Sequence, residues 1–352
     1  MKPGTNSEIT HFRREGRTSL LSARITHVWR GKGRARLRML ALPAITLAAG
    51  LLATPASAKD CDRQCLIDLT DRYVQALVAH SPKGLPMASD VAFVENVTRM
   101  KVGEGLWQSA SGGATRFSIH VPDEQKQSAG WLGMMESKGE PRMVAIRLKL
   151  KDGQIVEAEH LTTDIRPEMM ARVQTPRAGL LAPVPQDKRM AHDQLIRIGA
   201  SYYDALDDND GTKMPFAADC ERHENGMVTA GANAGAGPNN AGTAPIARDC
   251  AGQLSSNVMA YITRIDDRRV FAADPVTGLV MGLSHFRHPM DFEPYPVKAL
   301  DGSTIMYDKA RFNFAPFDLP AAHIFKIGVD GRVHEIEAMG FMTKYNAPTG
   351  WE

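Results

Sequence analysis

The chain repeats itself, and a repeat constrains a fold more than any composition does. One offset lays Tyr73-Val-Gln-Ala-Leu77 over Tyr202-Tyr-Asp-Ala-Leu206. Without a gap, the same offset lays Gly84-Leu-Pro86 over Lys213-Met-Pro215, Ala88-Ser-Asp90 over Ala217-Ala-Asp219, and Glu95-Asn96 over Glu224-Asn225. A second, larger offset carries Lys151-Asp-Gly-Gln-Ile-Val-Glu-Ala-Glu159 onto Val329-Asp-Gly-Arg-Val-His-Glu-Ile-Glu337. Two collinear blocks in one order describe two copies of one module, the second enlarged by an insertion.

Each copy opens on an amphipathic helix. Leu66, Leu69, Tyr73 and Leu77 in the first, and Leu195, Ile198, Tyr202 and Leu206 in the second, fall at helical spacing. A Pro-containing turn leads into a short strand that ends at Glu-Asn. Strand-rich segments follow: Arg142–Leu150 alternates apolar and polar, and Asp152-Gly153 turns it tightly into Gln154–Thr162. The second copy has Ala322–Val329, Asp330-Gly331 and Arg332–Met342 in these places. The expected fold class is therefore α+β, with each module a curved antiparallel sheet packed on its N-terminal helix.

A Y-x-x-A-L helix, a P-x-A-x-D turn, a Glu-Asn strand end and a final hairpin around Asp-Gly resemble the NTF2-like (SnoaL-like) cone fold. The string Gly103-Glu-Gly-Leu-Trp107 after Glu95-Asn96 is similar to one found in exported, poorly characterised members of that superfamily. The resemblance covers most of 66–165 and 192–345. It implies two tandem cone modules, each with a pocket between helix and concave sheet. It also implies a range of roles, from cofactor-free isomerases, dehydratases and cyclases to pure ligand-binding or scaffolding modules. Fold alone does not choose among them.

The expected organisation is a leader over 1–58, a first module over 59–165, a Pro-rich linker over 166–188 and a second module with its insertion over 189–352. The leader runs from an Arg-rich start through the apolar run Met39–Ala53 to Ala56-Ser-Ala58, which reads as an export signal cleaved after Ala58. The apolar run, about 15 residues, is short of the ~20 that span a bilayer. A secreted or periplasmic product with no membrane attachment after cleavage is expected. The formal net charge of +2 rests on that leader, and the mildly acidic remainder gives no electrostatic reason to expect nucleic acid as a partner. Four cysteines in an exported chain favour disulfides, and the simplest pairing is Cys61–Cys65 with Cys220–Cys250. Their spacing matches no familiar zinc site, so no metal is expected. The stretch Met227–Asp249, rich in Gly, Ala and Asn, reads as a loop that the second disulfide would tether.

Candidate chemistry concentrates in the second copy. In Leu283-Ser-His-Phe-Arg-His288, a strand puts His285 and Arg287 on one face and Ser284, Phe286 and His288 on the other. Asp266 on a neighbouring strand could orient an imidazole, giving His285 as base, Asp266 as its orienter, and Arg268 or Arg287 to stabilise oxyanion charge. Tyr202, Tyr261, Arg287 and His288, with Trp107 and Glu104 of the first copy, are expected to contact substrate. The same histidines suit an edge strand equally well, and Asp266–Arg269 suits a solvated turn. The first copy offers Glu104, Trp107 and His120, with Glu104-Gly105 reading as a turn and Trp107 as core. Glu95 and Glu224, alike in both copies, point to architecture. Phe312–Phe317 could form an apolar rim or lid.

No nucleophile elbow, phosphate loop or dinucleotide fingerprint is present, so no cofactor is expected. Three function classes fit: a cofactor-independent lyase, isomerase or dehydratase acting on a small apolar or aromatic compound; a non-catalytic binder of such a ligand; and a structural protein whose modules pack sheet to sheet as an internal pseudo-dimer.

Overall fold

The computed structural model describes residues 60–234, 246–312 and 314–352. The expected export signal lies outside the described residues, as does 235–245 within the Gly/Ala/Asn stretch.

In the first half, helix α1 (Arg63–Val78) starts at Asp62, whose side chain accepts the Cys65 N–H and so caps an otherwise unmet donor. Its apolar stripe, Leu66, Leu69, Tyr73 and Leu77, is buried as the spacing predicts. There follow β1 (Met87–Glu95), β2 (Thr98–Met100), the short helix α2 (Leu106–Ser109), β3 (Ala110–Gly112), β4 (Ser118–Asp123), β5 (Ser128–Ser137), β6 (Glu140–Lys151) and β7 (Gln154–Asp164). They form one sheet in the order β2-β1-β7-β6-β5-β3, with β4 also on β5. The β1–β7 pair is parallel and the other pairs are antiparallel.

The connector contains the short helix α3 (Ala178–Leu181), and Arg177 before it reaches Glu335 and Glu337 at 3.2 and 3.3 Å. The second half begins with α4 (His192–Asp207), followed by β8 (Phe216–Glu224), β9 (Met227–Ala230), α5 (Cys250–Ser255), β10 (Arg264–Asp274) and β11 (Leu279–His288). The insertion adds the hairpin β12 (Tyr295–Lys298) and β13 (Thr304–Tyr307). Strands β14 (Phe317–Ile327), β15 (Val333–Gly340) and β16 (Thr343–Lys344) complete the chain. The second sheet has the order β10-β11-β14-β15-β8-β9, with β15 parallel to β8. Thus β1, β7, β6 and β5 correspond in order and direction to β8, β15, β14 and β11. The fold is α+β, with two curved sheets in tandem, each carrying its own helix.

The repeated Glu-Asn has a structural explanation. Asn96 and Asn225 take left-handed backbone, φ 45° and 49°, a conformation asparagine tolerates better than most side chains. Asn96 exchanges hydrogen bonds with Thr162 through both ends of its amide, and Asn225 does the same with Gly340. The motif ends the strand and clamps it to its parallel neighbour in both sheets.

Four apolar clusters lie among the described residues, one of them in the insertion around Phe292, Val297, Tyr307 and Phe312. Of the other three, one lies between α4 and the second sheet, and one between α1 and the first sheet. The third joins the opposite faces of the two sheets, with Ile119, Leu132, Met134 and Ala145 against Met281, Leu283, Ala322 and Ile324. Polar contacts frame that third cluster: Arg269 grips Glu159 bidentately at 2.6 and 2.8 Å, and Asp123 accepts the Ala273 N–H at 2.9 Å. Both cysteine pairs, Cys61–Cys65 and Cys220–Cys250, are bonded.

Candidate functional site

A cavity of about 90 Å³ lies between α4 and the concave face of the second sheet. That is several times the ~10–15 Å³ needed to admit one water, so the cavity takes more than a single solvent molecule. Its polar lining is Tyr202 from α4, Arg222 and Glu224 from β8, Tyr261, His288 from β11 and His323 from β14. The remainder is apolar and includes Leu206, Met259, Phe286, Leu319, Ala321 and Ala338.

The strand period decides which residues arrive there. On β14, Leu319, Ala321 and His323 face the cavity, while Ala322 and Ile324 enter the cluster between the sheets. On β11, Phe286 and His288 face the cavity, whereas Leu283 faces the other way. His285 and Arg287 share the face of Leu283, opposite to the cavity. This differs from the expectation that made His285 the base. His285 is buried among charges: its Nε2 stands 3.4 Å from Asp318 and 3.2 Å from Arg287. Burial and the adjacent guanidinium hold its pKa below the ordinary imidazole value. Arg287 also bonds Asp266 at 3.0 Å and the Ala347 carbonyl at 2.8 Å, and Asp318 accepts the Ala347 N–H, so this network holds the C-terminal segment. Asp266 is His285's cross-strand neighbour but serves Arg287. Arg268 lies beyond a bulge in β10 and pairs with Asp204 and Asp207 of α4.

Of the expected contact residues, Tyr202, Tyr261 and His288 line the cavity, and Arg287, Trp107 and Glu104 do not. Tyr261 packs on Phe312 with centroids 4.6 Å apart, and His288 stacks on Phe317 at 4.2 Å. The segment expected as a rim therefore buttresses two cavity walls, while its Phe314 is exposed.

Burial sets the protonation of the lining. It pushes the His288 pKa down to about 4 and that of His323 down to about 3, the latter helped by the Arg222 charge, so both imidazoles are neutral near pH 7. It raises Tyr261 to about 12, leaving a phenol that donates. Arg222 is fixed by three neutral acceptors: the Tyr202 hydroxyl at 3.0 Å, Thr229 Oγ1 at 2.8 Å and Gln253 Oε1 at 2.8 Å. The Glu224 carboxylate receives no hydrogen bond among the described residues.

In the first module side chains join across the corresponding position, and a cavity of about 160 Å³ opens beside Glu95, lined also by Leu106, Ser109, Arg142 and Thr162. Tyr73 bonds His160 Nε2 at 2.9 Å, and His160 Nδ1 meets Glu95 at 3.0 Å. Trp107 packs edge-on against Tyr73 at 5.2 Å. Glu95 also accepts the Leu106 N–H at 2.9 Å. A Cβ on Gly105 would stand 2.3 Å from that carboxylate, so glycine is required for the approach. Glu104 is exposed and accepts the Lys101 N–H, apart from this group. His120 pairs with Asp71 on the surface.

Sequence reasoning missed Arg222, His323 and the role of Glu224. A signal was present. In the repeat alignment Arg222 falls on Phe93 and Ala338 on His160, and the strand register places His323 on Ile146. The second copy has a charge where the first has a phenyl ring, and a methyl where the first has an imidazole.

Residues 188–340, which include the whole cavity, match a family described as "Domain of unknown function" (DUF8021). No curated protein matches the chain. Among solved structures, the chain is similar to a Silicibacter protein described as a candidate polyketide cyclase, at 15% identity over 44% of this chain and 92% of that one, with a TM-score of 0.24. It is also similar to an NTF2-like protein of Burkholderia thailandensis, at 18% identity over the same shares, 44% and 92%, with a TM-score of 0.22.

Proposed function

We propose that the second module binds a small, single-ring compound and performs cofactor-independent acid–base chemistry on it, of the lyase, isomerase or dehydratase kind, outside the cytosol. The observation that carries the reading is the contrast between the modules. Tyr202 and Glu224 stand where Tyr73 and Glu95 do, but Ala338 replaces the His160 that joins those two, and a cavity lined by ionisable groups lies there. Glu224 is the base, because it is the carboxylate of the lining and receives no hydrogen bond among the described residues. Tyr261 and Arg222 are the donors toward charge that develops on the ligand. The neutral His288 and His323 offer hydrogen bonds without adding charge. Two bonded cysteine pairs suit an oxidising compartment.

A non-catalytic ligand carrier is the second reading, favoured by the aromatic enclosure that Tyr261, Phe312, His288 and Phe317 build around the cavity. One variant tests the site itself. Ala338→His places an imidazole where His160 stands in the first module. Thermal shifts of residues 59–352 with a panel of phenols and benzoates should be seen for the wild type and vanish in the variant. Shifts that persist in Ala338→His exclude the cavity. Glu224→Gln then divides the two readings, since loss of turnover with binding retained identifies an enzyme.

A further inference from the structure

Arg222 and Glu224 present opposite charges to one cavity without meeting each other. Arg222 is buried, 6% exposed, yet its three hydrogen bonds go to a phenol, an alcohol and an amide. No carboxylate lies within ion-pairing distance of it among the described residues. A guanidinium carries five N–H donors, so two remain. Glu224 acts on this cation through space and not by contact, and a guanidinium held away from water gains when an anion comes into contact with it. The first module makes the comparison direct. At the position of Arg222 it has Phe93, packed on His160 with centroids 4.8 Å apart, and its Glu95 is already hydrogen-bonded. The two charges, out of contact with each other, occur in the copy where Ala338 replaces His160.

The two residues are also spaced for a ligand. Strand residues two apart lie on one face about 6.6 Å apart, close to the span between substituents across a six-membered ring. The apolar wall of Phe286, Leu319 and Ala321 suits the ring itself.

We infer that the ligand of this cavity is an aromatic or cyclic carboxylate bearing a hydroxyl or amino group, its carboxylate bound by Arg222 and its donor group met by Glu224. This rests on the reading that the cavity is the binding site. A carboxylate satisfies the remaining guanidinium donors as a bidentate pair, which a neutral carbonyl cannot do. The hydroxyl or amino group gives Glu224 the donor that the protein withholds.

The experiment is calorimetric titration of residues 59–352 with phenol, benzoate and 4-hydroxybenzoate. The wild type should prefer benzoate to phenol by about tenfold or more, and 4-hydroxybenzoate should bind tighter still. Arg222→Met should bring the benzoate-to-phenol ratio toward one, and Glu224→Gln should reduce the gain from the 4-hydroxyl. Should Arg222→Met not fold, Arg222→Lys keeps the charge without the fork and should lower the same ratio. Equal affinity for phenol and benzoate in the wild type, or an unchanged ratio in the folded Arg222 variant, overturns the carboxylate assignment while leaving the cavity as the site. Binding that survives Ala338→His, or no binding by any of the three probes, overturns the cavity reading and the carboxylate with it.

Discussion

Glu95 and Glu224 end corresponding strands of the two sheets, each followed by a left-handed asparagine, but among the described residues the Glu95 carboxylate is hydrogen-bonded and that of Glu224 is not. Corresponding positions serve architecture in one sheet and present an available acceptor in the other. The difference separates the two residues experimentally. Glu95→Ala leaves the Leu106 N–H and one His160 nitrogen without their partner, which should cost about 1–3 kcal/mol in urea unfolding. Glu224→Ala removes no such bond and should change stability by about 0.5 kcal/mol or less. It should also reduce any turnover by about 10² or more. A cost at Glu224 equal to that at Glu95 would make both residues architectural.

His323 should make the fold acid-sensitive. The native state holds this imidazole neutral, with a pKa near 3, so between that value and about 6.5 the unfolded chain binds the extra proton. Its contribution is complete above about pH 6.5 and is lost as pH falls toward the folded value, at up to about 1.4 kcal/mol per pH unit. Glu337 pulls the other way: burial raises its carboxyl to about 7, so its ionisation costs stability as pH rises from the ordinary carboxylate range toward neutrality. The measurement is therefore a difference. Unfolding free energies of wild type and His323→Phe at pH 7.5 and 5 should converge on the acid side relative to the neutral side. Parallel curves would show that His323 is not held neutral by the fold.

Reduction should act mainly through Cys220–Cys250. That bond joins β8 to α5 across a separation of 30 residues, and the chain-entropy account gives it about 3.6 kcal/mol. Cys61–Cys65 closes a separation of only 4 residues and should contribute less. The paired substitutions Cys220→Ser with Cys250→Ser, and Cys61→Ser with Cys65→Ser, should rank in that order in thermal unfolding. The reverse ranking would contradict the argument.

Much of the architecture was legible in the chain. The stripes Leu66–Leu77 and Leu195–Leu206 announce α1 and α4, and Asp152-Gly153 announces the β6–β7 hairpin. The site was less legible for a physical reason. All ten residues of β11 are buried, because one face meets α4 and the cavity while the other meets the first sheet. Alternation correctly divides His285 and Arg287 from Phe286 and His288, but with both faces covered, polarity gives no cue to which face holds the cavity. The choice of His285 was a choice of face. Comparing the copies position by position carries better information, since Phe93 against Arg222 marks a place where packing was given up for charge.

The sheet-to-sheet cluster also bears on what can exist as a separate molecule. The span 188–340 contains the cavity and its lining, but Leu279, Met281, Leu283, Ala322 and Ile324 on its far face are covered by Ile119, Leu132, Met134 and Ala145, which lie outside that span. Cut free, such a fragment would show water a continuous oily flank. A stand-alone relative of this length would need polar residues on that flank, or another protein surface against it, to remain in solution.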